Sequence, residues 1–315
     1  MFRLRLVPET TNIKFVSFRK VSFPMSSLFA ICSLVLFAVM GLNYGIDFRG
    51  GTMVEIGTEG PADLTRIRAI ASALEIGDVQ VQSFGQEDDV LIRVEQQSGG
   101  EKAQQDVVAT LKAALDREYG SPINYRRVEV VGPKISGELV EAGTLAVLLA
   151  VIAMLIYIWF RFEWQFSVGA VVALLHDVVL TIGIFSLLQL EFNLSIIAAI
   201  LTIVGYSMND TVVVYDRVRE NLRKYKKMQL PELLDLSIND TLSRTGMTSL
   251  TTLLALLALY IFGGEVIRGF TFAMIWGVVV GTYSSIFVAA PLLLLLGVKR
   301  DWSGLQTGAA DKKAG

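Results

Sequence analysis

Long apolar runs flank one extended polar stretch in this chain, and the run lengths set the architecture. Met25–Tyr44 is apolar for about 20 residues, enough to cross about 30 Å of hydrocarbon. Four further runs of membrane length follow: Gly143–Phe160, Phe166–Leu188, Ser195–Val214 and Ile267–Leu296, the last long enough to tilt or bend. Thr248–Phe262 is shorter and reaches spanning length only with its polar flank from Arg244. The pattern predicts a polytopic α-helical membrane protein with six transmembrane helices, at 25–44, 139–160, 166–188, 195–214, 244–262 and 267–296. A basic segment, residues 1–24, precedes the first run, as in a signal peptide. The run exceeds a signal peptide's apolar core of about 7–15 residues and no A-x-A site follows, so it reads as a retained helix.

The polar stretch, residues 45–138, has the periods of a soluble domain. Thr52–Glu59 alternates like a strand, and Pro61–Leu74 follows as an amphipathic helix. Val79–Phe84 and Val90–Val94 read as strands parted by a Gly-Gln-Glu-Asp-Asp turn. Glu101–Tyr119 has helical spacing at Val107, Val108, Leu111 and Leu115, and Ile123–Val131 reads as a last strand. The order β-α-β-β-α-β predicts a ferredoxin-like α+β domain between helices one and two. About 90 residues suffice for it to bury a core of its own.

Composition agrees with a membrane protein: 53% of the 315 residues are hydrophobic and 18% charged. A net charge of −2 gives no general attraction to nucleic acid. Cys32, the single cysteine, lies in an apolar run and has no partner for an intramolecular disulfide; His176 is the single histidine, which excludes a histidine-rich metal site. The distribution of basic residues matters more than their sum. Arg3, Arg5, Lys14, Arg19 and Lys20 precede helix one, and Arg161 lies between helices two and three. Arg217, Arg219, Arg223, Lys224, Lys226, Lys227 and Arg244 lie in or beside a basic loop at 215–243, and Lys299, Arg300, Lys312 and Lys313 lie in a tail at 297–315. The opposite loops, Gln189–Leu194 and Gly263–Val266, have no lysine or arginine. By the positive-inside rule both termini are expected on the cytoplasmic side and the soluble domain outside.

Against this frame, charged groups within the spans are the candidates for function. Asp210 sits after Asn209 in a run that is otherwise of membrane grade, about 16 residues or about 24 Å from the helix start. A carboxylate in that setting costs about 2.5–3.5 kcal/mol on insertion scales. Two readings stay open: a functional ionisable group facing the bundle with Tyr206 and Ser207, or a cap and anchor at the cytoplasmic membrane edge. His176-Asp177, with Thr181 one turn on, is either a proton-handling pair or a buried pair that locks packing. Arg244, Thr248 and Thr251 share one face of helix five; the arginine is placed to pair with Asp210 when that carboxylate is ionised, or to snorkel as an anchor. Gly41/Gly45 and Gly277/Gly281 have close-packing spacing. Two membrane aspartates raise the aspartyl-protease reading, but GYSMND lacks the Gly-x-Gly-Asp pattern of those enzymes. No Walker loop, metal-ligand spacing or nucleophile elbow is present, so no enzyme, metal or cofactor is expected, and any energy source lies in a partner's ATPase or an ion gradient.

Several stretches together resemble one family. GIDFRGGT (Gly45–Thr52) is similar to the D-F-x-G-G-T signature of SecD and SecF proteins, matched by Asp47, Phe48, Gly50 and Gly51, with Arg49 at the x position. VGYSMNDTVVVYDRVREN (Val204–Asn221) resembles the fourth-helix motif of the SecF family; Arg161–Trp164, Leu174–Asp177, Ser243–Thr245 and Phe262–Gly264 fit it too. The resemblance implies the resistance–nodulation–division superfamily, a bacterial inner-membrane location and a SecD partner forming the other pseudo-symmetric half. It implies work with the SecYEG channel on secreted preproteins, with YajC and YidC as associates and membrane lipid around the spans. It further implies that the proton-motive force assists late export, with Asp210 and Arg244 in the family's aspartate and arginine positions. A passive scaffold for SecD, or a small-molecule exporter of the same superfamily, are the competing classes; such exporters duplicate this unit, whereas the chain has one.

Overall fold

The chain enters its first long helix, α1 (Arg19–Met40), and leaves it at Gly41, whose φ of +66° is open to glycine without strain. The structure, a computed structural model, describes residues 11–298; Arg3, Arg5, Lys299, Arg300, Lys312 and Lys313 lie outside the described residues. A two-residue strand β1 (Asn43–Tyr44) and a one-turn helix α2 (Ile46–Arg49) follow. The soluble domain then runs β2 (Gly51–Thr58), α3 (Leu64–Ser72), β3 (Val79–Phe84), β4 (Gln86–Val94), α4 (Gly100–Glu118) and β5 (Ile123–Val131). Five long helices or helix pairs complete the chain: α5 (Pro133–Arg161), α6 (Trp164–Leu188), α7 (Leu194–Lys224), α8 (Leu230–Phe262), and α9 (Arg268–Ser284) continuing into α10 (Ala290–Leu295). Between α6 and α7 lies the short strand β6 (Glu191–Phe192).

In the soluble domain the four strands pair antiparallel in the order β3-β4-β2-β5, so the first strand lies inside the sheet between the third and the last. Val54, Ile56 and Ile92 on one face pack against Ile67 of α3 and Leu111 and Leu115 of α4, all of them essentially fully buried. Each such side chain contributes about 1.5–3 kcal/mol relative to exposure. The turn between β3 and β4 is tighter than its sequence suggests. Gly85, at φ +85°, makes the reversal, and Gln86–Asp89 belong to the strand, where Arg126 pairs with Asp88 and Asp89.

Six helices among the described residues are long and apolar enough to cross a membrane. Three of them, α6, α7 and α9–α10, are the most buried and form the centre; α1, α5 and α8 lie outside. Gly277 and Gly281 of α9 let α7 approach closely, since a Cβ at Gly281 would stand 2.8 Å from Ser207 and one at Gly277 would collide with Ile203. The other small-residue pair does not act this way: Gly41 terminates α1 and Gly45 lies in the loop beyond it. Between α9 and α10 the helix makes a π turn at Ser285–Ala289. Pro291 cannot donate to the carbonyl of Phe287, which accepts instead from Ser22 Oγ at 3.2 Å, and Tyr215 donates its hydroxyl to the Ala289 carbonyl at 3.1 Å.

The basic segment expected as a loop at 215–243 is largely helical. Only residues 225–229 separate α7 from α8. Val214, Tyr215, Val218 and Leu222 recur at helical spacing and meet Leu233, Leu234 and Ile238, while Arg217 bridges to Asp240 and Asn221 donates to Ser237. Charge along this segment conceals an amphipathic hairpin whose apolar stripe is only one face wide.

Candidate functional site

Asp210 is positioned by α7, one turn beyond Ser207 on the same face. Its side chain is buried, 3% exposed, and Oδ2 has no hydrogen-bond partner among the described residues. The hydroxyl oxygen of Tyr206, four residues earlier, is likewise buried and unpartnered. An unsatisfied carboxylate oxygen in a low-dielectric site costs far more than a solvated one.

Arg244 of α8 is exposed, and among the described residues it makes no direct ion pair with Asp210. The face shared by Arg244, Thr248 and Thr251 points out of the bundle; the hydroxyls that α8 turns inward are Ser237, Thr241, Thr245 and Ser249, the last meeting Thr282 at 2.7 Å. Asn209, one residue from Asp210 and so about 100° around the helix, is exposed and does not join the buried group.

A second carboxylate is fully engaged. Asp177 of α6 is 2% exposed, and its Oδ2 accepts from Ser207 of α7 at 2.5 Å and from Ser284 of α9 at 2.7 Å. Its Oδ1 lies 3.0 Å from His176 Nδ1, and Thr181 donates back to its carbonyl at 2.8 Å. His176 Nε2 is buried without a partner, with the ring stacked on Tyr283. Three central helices thus converge on one carboxyl group, and Ser284 is a member that its sequence position does not betray.

At the opposite end of α7 the helix is tied to the soluble domain. Asn193 makes no side-chain cap for α7; instead Asp47 Oδ2 accepts from the Leu194 N–H at 2.9 Å, supplying the missing acceptor and a negative charge at the helix's positive end. Beside it β1 and β6 pair in parallel, Asn43 with Glu191 and Tyr44 with Phe192. Phe48 packs its ring with Tyr44 and Phe192. Gly51, at φ +115°, has room for no side chain, because a Cβ would stand 2.5 Å from the Val94 carbonyl; Gly50, at φ +71°, passes under the Gln96 amide. Arg93 of β4 completes the junction, forming an ion pair with Glu191 and donating to Asn43 at 3.3 Å. Neither Arg93 nor Glu191 stands out by sequence pattern, apart from Glu191 being a charge in a short loop.

Replacing Asp47 with alanine is expected to lower stability by about 0.5–2 kcal/mol. Hydrogen exchange should quicken at the first turn of α7, Leu194–Ile197; unchanged exchange there would show that the cap does not hold the helix end.

Two family profiles match: "Protein export membrane protein SecD/SecF, C-terminal" over residues 111–299, and "SecD/SecF GG Motif" over residues 35–62. Protein translocase subunit SecF of Rickettsia felis is 45% identical over 295 residues, covering 94% of this chain and 95% of that protein. The chain belongs to the SecD/SecF protein-export family. Its Rhodobacter capsulatus relative, also protein translocase subunit SecF, is 48% identical over 312 residues, covering 95% and 93% of the two chains. Among solved structures, the SecDF crystal structure from Thermus, described as a translocon-associated membrane protein, superposes with a TM-score of 0.84 at 34% identity. That match covers 94% of this chain and 40% of the SecDF chain, so this chain spans less than half the length of that SecDF protein. A second SecDF structure, in a super-membrane-facing form, gives 0.68 at 35% identity with the same coverage. In family terms, the Asp47–Gly51 turn that caps α7 lies in the GG motif, and Asp177, Ser207, Asp210 and Ser284 all lie in the C-terminal family region.

Proposed function

We propose that this chain is the SecF-type subunit of a bacterial inner-membrane protein-export complex, in which proton passage at Asp210 is coupled to movement of the external, ferredoxin-like domain. The observation that carries the reading is the Asp210 oxygen left buried and unsatisfied within a membrane-spanning helix. The role is one of transport, with no catalytic step.

A SecD-type partner is supported by the exposed polar face. Arg244, Asn209, Thr248 and Thr251 look outward from membrane-spanning helices. Facing an arginine to hydrocarbon costs about 2.5–3.5 kcal/mol, which a polar partner helix removes. SecYEG, YajC, YidC and the exported preprotein enter as the assembly in which such a pair works. Basic residues at the α7–α8 hairpin and none in Gln189–Leu194 support cytoplasmic termini and an external domain.

In the proposed cycle a proton from outside neutralises the Asp210 carboxylate, which then no longer attracts Arg244. Helices α7 and α8 re-pack, and α7 transmits the shift through the Asp47 cap and the Glu191–Arg93 pair to the soluble domain. Release of the proton to the cytoplasm restores the charged state. One charge crossing 100 mV supplies about 2.3 kcal/mol, enough to bias a two-state element of that order. His176–Asp177 takes a different part: its carboxylate, satisfied by Ser207 and Ser284, serves as a fixed pivot that keeps α7 on α6 and α9 while the ends of α7 shift.

Asp210→Asn removes the titration while keeping size. Secretory precursors should accumulate in cells while SecD still co-purifies. Normal export would overturn the coupling role, and loss of SecD would assign Asp210 to assembly.

A further inference from the structure

At the membrane-proximal end of the sheet lies a cleft of about 360 Å³, lined by Tyr44 and Arg49 of the junction and by Asp78, Gln80, Arg93 and Glu95 of the sheet domain. We propose that it holds the zwitterionic headgroup of a phosphatidylethanolamine-type lipid, with the phosphate toward Arg49 and the ammonium toward Asp78 and Glu95.

The charges in this cleft are not matched to one another. Arg49 is exposed and contacts the Tyr44 ring, 6.0 Å from its centroid; among the described residues no carboxylate pairs with it. Glu95 Oε2 accepts from the Asp78 backbone N–H at 3.1 Å and the Asp78 carboxylate accepts from the Gln80 amide at 3.4 Å, and among the described residues no cation pairs with either carboxylate. Two carboxylates lining one cleft favour a cationic ligand, and the unpaired guanidinium favours an anionic one. Arg93, only 9% exposed, has an Nε without a partner although its other nitrogens engage Asn43 and Glu191. A ligand carrying both signs answers Arg49 and the two carboxylates together, beside the buried, ion-paired Arg93.

Position selects a lipid. Thr52 pairs with Val94 and with Val130, so this is the end of the sheet where α1 enters and α5 leaves toward the membrane. That is headgroup depth, and Tyr44 is the kind of aromatic enriched there. An anionic lipid such as phosphatidylglycerol supplies no ammonium for the two carboxylates.

The test uses the full chain in nanodiscs of equal phosphatidylethanolamine and phosphatidylglycerol, with retained lipid read by native mass spectrometry. The wild type should retain phosphatidylethanolamine preferentially. Arg49→Gln, and separately the pair Asp78→Asn with Glu95→Gln, should each lower that retention roughly two- to fivefold. Arg117→Gln, at an exposed site elsewhere in the domain, should leave it unchanged. Equal retention of both lipids by the wild type overturns the proposal, as does an Arg117→Gln loss matching the others. Uptake of soluble glycerophosphoethanolamine with no gain from acyl chains assigns the cleft to a free zwitterion instead. Displacement of the lipid by a Lys-Glu peptide at equal concentration assigns it to polypeptide, and either result ends the lipid assignment.

Discussion

Asp177→Ala should lower the stability of the membrane bundle by about 2–4 kcal/mol. The carboxylate accepts two hydroxyl hydrogen bonds from separate helices and lies against His176, three contacts at about 0.6–2 kcal/mol each in a membrane interior. Ser284 has a fallback, since its hydroxyl also reaches the Gly281 carbonyl at 3.1 Å, which keeps the loss below the full sum. Asp177→Asn preserves an acceptor at the same place and should cost about 1 kcal/mol, the net worth of one ordinary hydrogen bond. Thermal unfolding of the purified chain in detergent ranks the three proteins. If the alanine variant melted with the wild type, the cage would not be holding α6, α7 and α9 together. The contrast with Asp210→Asn is the informative part. One aspartate should change stability with little specific effect on export, and the other should do the reverse.

Gly277→Ala should cost about 1–3 kcal/mol for the opposite reason, too much matter where two helices touch. The added methyl falls on three atoms of the Ile203 side chain, which is itself 2% exposed and has nowhere to turn. Ile203→Ala alone leaves a cavity and costs about 2–5 kcal/mol. Combining the two should cost less than their sum, because the alanine methyl fills part of the space that isoleucine vacates. Gly205→Ala is the matched control, having no atom within 4 Å of its built Cβ. Additive losses in the double variant would show that the glycine does not serve this close approach.

The spans were legible because they follow from a single cost, that of placing polar groups in hydrocarbon, which acts on each run by itself. The same cost singled out Asp210 but left open whether it faces the bundle or the membrane edge. Contacts between runs were not legible. Ser284 reaches Asp177 across 107 positions and Asp47 reaches Leu194 across 147, and no local period encodes either meeting. Spacing placed Arg244, Thr248 and Thr251 correctly on one face but could not say which way that face looks, and it looks outward. Asn209 adjoins Asp210 in sequence, yet neighbouring helical residues point about 100° apart, so adjacency does not put the two on one face. The α7–α8 hairpin was hidden by its charges, since a one-face apolar stripe in lysine- and arginine-rich sequence resembles a solvated loop until its partner stripe is known. The GG turn could be recognised by resemblance, while the reason for its glycines appeared only with the Val94 carbonyl standing where a side chain would go.

The join between α7 and the soluble domain carries a consequence for mechanics. A helix is stiff along its axis, and about 24 Å of it separates the Asp47 cap at Leu194 from Asp210. Such a connecting rod works in both directions. If a proton on Asp210 shifts the domain, then a pull on the domain must by reciprocity shift the proton affinity of Asp210 by the same free energy. A polypeptide dragging on the outer domain would thereby set the pH at which the inner site loads, and proton uptake would follow tension as well as the gradient.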